Sequence, residues 1–254
     1  MSNEFLLSLI TGIFIGGAAG FLGFLMLTKR MALVGDALGH VALPGMGLAL
    51  LLGFDTSLGA FVSLLLGVFL IWLIEIRTSL PMEVLVGVIF VVSLAVGFLI
   101  VPNPELLEAL FGNISKVSFN MAVVSIVFSI LIFFAIKRIY PKMILAGISE
   151  DLARSEGIKI KKQNLIYLLL IAAIVALGVK IVGTLLVGAL VIIPAAAARN
   201  FSKNLKEYSL GSMALGVLSC FSGIMISKVF NLPAGPMIIL SSASFFLISL
   251  IFKR

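Results

Sequence analysis

The chain has 254 residues, of which 61% are hydrophobic and only 11% charged, a composition too apolar to be hidden inside one water-soluble domain. Its formal charge of +7 would suit nucleic acid, but the basic residues fall between apolar runs and no basic patch is interleaved with aromatic side chains, which excludes nucleic acid as a partner. The single cysteine, Cys220, excludes an intrachain disulfide and a thiolate metal cluster, and its apolar surroundings predict a small buried core residue.

Crossing a hydrocarbon core of about 30 Å takes roughly 20 helical residues. Breaking the chain at charges, prolines and polar clusters gives nine apolar segments, near 5–28, 32–54, 57–75, 84–101, 120–136, 164–179, 182–198, 208–227 and 234–252. The expected fold is all-α: one polytopic transmembrane domain over residues 1–254, a bundle of about nine helices in contact with membrane lipid. The count becomes eight if the short sixth and seventh segments form one broken or re-entrant pair.

The first segment follows Glu4 rather than a basic stretch and lacks a small-residue cleavage site, so it is expected to remain as a transmembrane helix. Gly12, Gly16 and Gly20 recur in it every four residues, with Gly23 beside them. That stripe has no side chains and predicts close approach of another helix. With Lys29 and Arg30 assigned to the cytoplasm and sides alternating thereafter, fifteen of the eighteen basic residues fall on the cytoplasmic face; only Lys116, Lys180 and Lys228 fall outside. The bias predicts an external amino terminus and a cytoplasmic carboxyl terminus.

Segment two opens with Met-Ala-Leu-Val-Gly-Asp-Ala-Leu-Gly-His-Val-Ala-Leu-Pro-Gly, residues 31–45. Helical spacing puts Asp36 and the only histidine, His40, one turn apart on one face. An ionisable side chain at such a depth costs at least about 2.5–3.5 kcal/mol on insertion scales, so the pair marks a functional site. Imidazole nitrogen and carboxylate oxygen suit zinc, manganese or iron, and two copies of the chain meeting at a dyad would supply four ligands. Ligation needs an ionised aspartate and a neutral histidine, so acid should compete with metal. Gly35, Gly39 and Gly45 flank the pair almost without side chains, and Pro44 removes a backbone donor where a kink could serve a gate. The plainer alternative is that Asp36 merely accepts a hydrogen bond from His40 in a packed bundle.

Between segments four and five, residues 102–119 hold Glu105, Glu108 and Leu110-Phe111-Gly112 in an expected external loop that could cover a pathway or meet an external partner. Residues 137–163 form the longest cytoplasmic stretch. Within it Ser149-Glu150-Asp151-Leu152-Ala153-Arg154-Ser155-Glu156-Gly157 reads as a short helix, with Ser149 as N-cap and Gly157 as the stop. Ile148, Leu152 and Ile158 give it a small apolar face, either for a cytosolic partner or for the membrane surface beside Lys159, Lys161 and Lys162. The run from Val182 to Ala198 is rich in small residues and is expected to pack near the dyad, locally broken by Pro194.

Residues 31–45 resemble the segment-two signature of the permease subunits of bacterial zinc and manganese ABC importers, the ABC-3 family. Leu110-Phe111-Gly112-Asn113-Ile114, the 149–158 helix and the Val182–Arg199 stretch resemble further family blocks in the same order. The pattern usually has serine where Gly39 stands and often an acidic residue where Asn113 stands; neither change removes Asp36 or His40. The resemblance implies a homodimeric permease in the bacterial cytoplasmic membrane. It would be bound to two cytosolic ABC ATPase subunits and receive Zn²⁺ or Mn²⁺ from an external solute-binding protein, with residues 149–158 as the coupling helix and no permanently bound cofactor. No Gly-x-x-x-x-Gly-Lys-Ser/Thr loop occurs in the chain, so ATP hydrolysis would belong to a separate polypeptide.

Three rivals remain open on the residues alone. A proton- or ion-coupled secondary transporter could use Asp36 and His40 as a relay. An intramembrane hydrolase would need the lone histidine to serve Ser219 or Ser222 on distant segments. A permease for chelates or vitamins would want a roomier apolar channel without charged ligands.

Overall fold

The computed structural model describes residues 3–100, 119–183 and 187–252. Eleven α-helices follow one another there: α1 (Asn3–Thr28), α2 (Val34–Val41), α3 (Leu43–Leu52), α4 (Thr56–Arg77), α5 (Met82–Ile100), α6 (Phe119–Ile148), α7 (Glu150–Ser155), α8 (Ile160–Val182), α9 (Val187–Phe201), α10 (Leu205–Phe230) and α11 (Ala234–Ser249), with a closing 3₁₀ turn at Leu250–Phe252. The loop read at 102–119, with Leu110 to Asn113, lies outside the described residues except for Phe119, as do residues 184–186.

Eight helical stretches among the described residues are long and apolar enough to cross a membrane, α2 and α3 counting together as Val34–Leu52. The seventh apolar segment of the sequence is the exception. Its helix, α9, has 15 residues and reaches about 22 Å at 1.5 Å per residue, short of a hydrocarbon core of roughly 30 Å.

The centre of the bundle is built on α1, and the glycine stripe explains why. A β-carbon at Gly16 would lie 2.6 Å from the carbonyl oxygen of Gly216, one at Gly216 would fall on the carbonyl of Gly16, and one at Gly20 would fall on that of Ser212. Helices α1 and α10 therefore touch backbone to backbone, a distance only glycine allows. Gly23 does the same against the carbonyl of Val191 on α9. Aromatic rings add to the packing of α1: Phe24 meets Tyr208 of α10 edge-on at 5.0 Å, and Phe21 meets Phe133 of α6 at 5.0 Å. Cys220 is buried against this seam, as its surroundings predict. The outer faces stay apolar, with Val88, Val91, Val92 and Leu99 of α5 exposed, which is the surface a lipid solvent requires.

Two boundaries differ from the sequence reading. Helix α6 does not stop near residue 136 but runs to Ile148 and carries Lys137, Arg138 and Lys142 on its exposed side. Ile132, Ile136, Ile139 and Met143 are all buried, so the apolar stripe continues at helical spacing beneath the charges and holds the extra turns. Pro194 does not break α9, which continues through it. The helix is packed against α1, α10 and α11, and Pro194, Ala195, Ala197 and Ala198 are buried. That packing keeps the helix continuous despite the lost backbone hydrogen bond.

Candidate functional site

Segment two is where the chain departs from a regular span. Pro44 has no N–H to offer the carbonyl of His40 four residues earlier, and the segment divides at Ala42 into α2 and α3. The carbonyl of His40 accepts from the N–H of Ala42, and the next carbonyl, that of Val41, accepts from the hydroxyl of Ser63 on α4 at 2.6 Å. The break is held by a neighbour rather than left loose. One turn on, Gly45 and Gly59 meet so closely that a β-carbon on either would fall on the carbonyl oxygen of the other. Helix α3 is thereby fixed against α4.

Helix α2 carries both candidate ligands. Its residues Val34, Gly35, Ala37, Leu38, Gly39, His40 and Val41 are buried, and Asp36 is half-buried. Three helices set its position. Gly188 of α9 lies against the Asp36 backbone, where an added β-carbon would stand 2.6 Å from both Asp36 Cα and Cβ. Gly67 of α4 leaves room for Val41. Phe90 of α5 stacks obliquely on the His40 ring, with centroids 5.4 Å apart.

The polar atoms of the pair are not used up by the protein. His40 Nδ1 is buried without a hydrogen-bond partner, although buried nitrogen is normally satisfied. Neither side chain hydrogen-bonds to the other or to any described residue, so the plainer reading, Asp36 as the acceptor of a His40 hydrogen bond, is not what this geometry contains. An unpaired imidazole nitrogen one turn from an unpaired carboxylate is a donor set suited to a divalent transition metal. No group of three or more His, Cys, Asp or Glu side chains that could hold a metal occurs among the described residues. One copy of the site offers two side-chain ligands.

The short helix of the sequence reading is present as α7, spanning Glu150–Ser155. The Ser149 side chain accepts from the N–H of Leu152 at 3.2 Å, and Gly157 ends the turn at φ 73°, the left-handed region where glycine is at ease. Arg154 pairs with Glu150 at 3.2 Å, Ala153 is buried, and Ile148 and Leu152 are exposed. Asp151 and Glu156 face water.

Near α7 lies a polar cluster that sequence reasoning missed. Asn164 of α8 donates to Glu75 Oε1 at 2.6 Å and accepts from Lys29 Nζ at 3.4 Å, while Lys161 reaches the carbonyls of Glu75 and Ile76. Burial lowers the pKa of the Lys29 ammonium, and the charges of Glu150 on α7 and Glu75 offset part of that. The cluster ties the residue just before segment two to the ends of α4 and α8. Its signal was an acid, Glu75, at the end of an apolar span. Gly188 was legible only as one small residue among many.

The chain is similar along nearly its whole length to membrane proteins of manganese import and zinc uptake systems. It is 33% identical to the manganese import system permease protein ScaB of Streptococcus gordonii, over 95% of this chain and 88% of that one. It is 32% identical to the high-affinity zinc uptake system membrane protein ZnuB of Haemophilus influenzae, over 97% and 96% respectively. Its fold superposes on the solved structure of PsaBC from Streptococcus pneumoniae in complex with Fab, with a TM-score of 0.84 at 30% identity, covering 98% of this chain and 91% of that one. Residues 2–253 match the ABC 3 transport family, and the chain belongs to it.

Proposed function

We propose that this chain is the membrane-spanning permease subunit of an ATP-binding-cassette importer of a divalent transition metal, zinc or manganese, with Asp36 and His40 as its ligands in the membrane. The observation that carries the reading is the pair itself: an imidazole nitrogen and a carboxylate one turn apart in a buried helix, neither satisfied by the protein, in a chain of this family.

Two protomers related by a dyad bring together two Asp36–His40 pairs, and the four side chains replace much of the metal's hydration shell. The metal is cargo and must leave, so binding stays moderate. It arrives from an external metal-binding solute-binding protein and is released towards the cytoplasm as two cytosolic ATPase subunits hydrolyse ATP. Helix α7, with its exposed Leu152 and the neighbouring Ile148, receives the ATPase movement as the coupling helix. Gly35, Gly39, Pro44, Gly45 and Pro194 let the helices around the pathway approach and shift. The protein sits in the bacterial cytoplasmic membrane with its amino terminus outside, in keeping with the distribution of its basic residues.

The test is uptake of labelled zinc and manganese into proteoliposomes that hold this chain with its ATPase and are supplied with metal-loaded binding protein. ATP-dependent uptake that His40→Ala abolishes in an assembled complex is the expected result. Normal transport by His40→Ala removes the ligand assignment, and uptake indifferent to ATP favours a secondary transporter.

A further inference from the structure

A cavity of about 470 Å³ opens at the end of the bundle where α1 leads into α2 and α9 leads into α10. Its wall carries three cations, Arg30, Arg199 and Lys203, and no carboxylate. The side chains of all three lack an ion pair or hydrogen bond to any described residue. Glu207, close by in sequence, is engaged in capping α10. Its oxygens accept from the backbone N–H of Lys203 at 2.9 Å and from Asn204 Nδ2 at 2.8 Å.

Of the other polar residues in the wall, Thr28 and Ser202 donate to the carbonyls of Phe24 and Ala198 and Asn204 donates to Glu207, which leaves Tyr208. It is 8% exposed, its ring is held edge-on to Phe24 at 5.0 Å, and its hydroxyl is buried with no hydrogen-bond partner. A buried hydroxyl left unmatched among the described residues is unusual, and the residue that carries it lines the cavity. Arg30 is the left-handed residue that caps α1: its φ is 60°, its N–H donates to the carbonyl of Leu27, and the N–H of Met31 donates to that of Met26. From that turn Arg30 lines the cavity. Leu27 and Leu205 supply an apolar part of the wall, and Leu205 is exposed.

Three cations against the single nearby carboxylate of Glu207, with an unpaired hydroxyl donor, are the complement of a phosphate anion, whose unprotonated oxygens accept hydrogen bonds. We propose that this cavity binds a phosphate-bearing anion, either the headgroup of an anionic phospholipid or free phosphate. Arg30, Arg199 and Lys203 balance its charge, and the Tyr208 hydroxyl donates to one of its oxygens. Basic cavities between membrane helices on the cytoplasmic side recognise anionic headgroups in this way, and the apolar wall at Leu27 and Leu205 suits the start of an acyl chain.

The experiment uses the full permease with its ATPase in neutral detergent. Native mass spectrometry counts retained phosphatidylglycerol against phosphatidylcholine, and calorimetry titrates inorganic phosphate. The variants are Arg199→Gln/Lys203→Gln and Tyr208→Phe, with Lys159→Gln/Lys162→Gln as a control that removes two exposed charges outside the cavity. Wild type is expected to prefer the anionic lipid, and each cation removed should weaken it by roughly fivefold, hence about 25-fold for the double variant. Tyr208→Phe should weaken it while leaving the thermal midpoint in place, and the control should match wild type. Displacement of the lipid by millimolar phosphate, or phosphate binding that the double variant loses, assigns the site to phosphate from solution as well. Lipid retention that phosphate does not disturb assigns it to the headgroup. Equal losses in the control, or no loss of either ligand in the double variant, overturns the proposal.

Discussion

Gly188 stands against the backbone of Asp36 so closely that a β-carbon on it would lie 2.6 Å from Asp36 Cα and 2.7 Å from its nitrogen. The obstacle is backbone, which cannot swing aside as a flexible side chain can. One glycine on α9 therefore sets how far the candidate ligand stands from its surroundings.

Substituting Gly188→Ala adds about 1 kcal/mol of helix propensity but overpacks a backbone contact, which costs about 1–3 kcal/mol. The clash wins or cancels. Supports of a metal ligand influence affinity by roughly 10–100-fold, so metal uptake should fall on the order of tenfold while the complex still assembles. Uptake equal to wild type, measured in proteoliposomes, would show that α9 does not position Asp36.

His40 presents the opposite case, a residue whose removal should help the fold. Its orphaned Nδ1 is a buried polar atom without a partner, a burden of about 1–3 kcal/mol. In metal-free protein His40→Phe should leave the thermal midpoint unchanged or raise it, while ending uptake. Zinc at a hundred times its Kd should stabilise wild type by about 2.7 kcal/mol and leave the variant unmoved. A variant that melts well below wild type and still responds to zinc would make His40 structural.

The reciprocal contact of Gly45 and Gly59 predicts that Gly45→Ala is destabilising although alanine favours helix. The carbonyl of Gly59 occupies the space a methyl group needs, so α3 must move off α4 at a cost of about 1–3 kcal/mol. The Ser63–Val41 hydrogen bond, 2.6 Å long, should lengthen with it. A thermal midpoint above wild type would mean that the two helices separate freely.

Lys29 gives a prediction with a sign in pH. Burial lowers its pKa below the ordinary 10.5, with Glu150 and Glu75 offsetting part of the effect. Between the lowered value and 10.5 the folded chain holds fewer protons than the unfolded one, so stability rises with pH through that window and is lost as pH falls through the lowered value. Lys29→Met should remove this slope. The difference between variant and wild-type thermal midpoints, followed from about pH 8 up to the lysine range, should shrink as pH rises; a difference constant with pH would place Lys29 in water.

How much was legible in the residues follows from what each signal depends on. Eight of the nine apolar segments, the glycine stripe of α1, the cap at Ser149 and the Asp36–His40 face are written in local spacing, because helix period and lipid solvation act along a single segment; that the seventh, α9, is too short to span was not. The continuation of α6 to Ile148 was hidden because Lys137 and Arg138 read as the end of a span, although Ile139 and Met143 keep its buried stripe going. The continuation of α9 through Pro194 was hidden too, since neighbouring helices hold it. Gly188 against Asp36, Ser63 on the carbonyl of Val41, Asn164 between Lys29 and Glu75, and the convergence of Arg30, Arg199, Lys203 and Tyr208 join residues far apart in the chain. Such contacts depend on which helix faces which, a property of side-chain packing in three dimensions that no periodicity along one segment encodes.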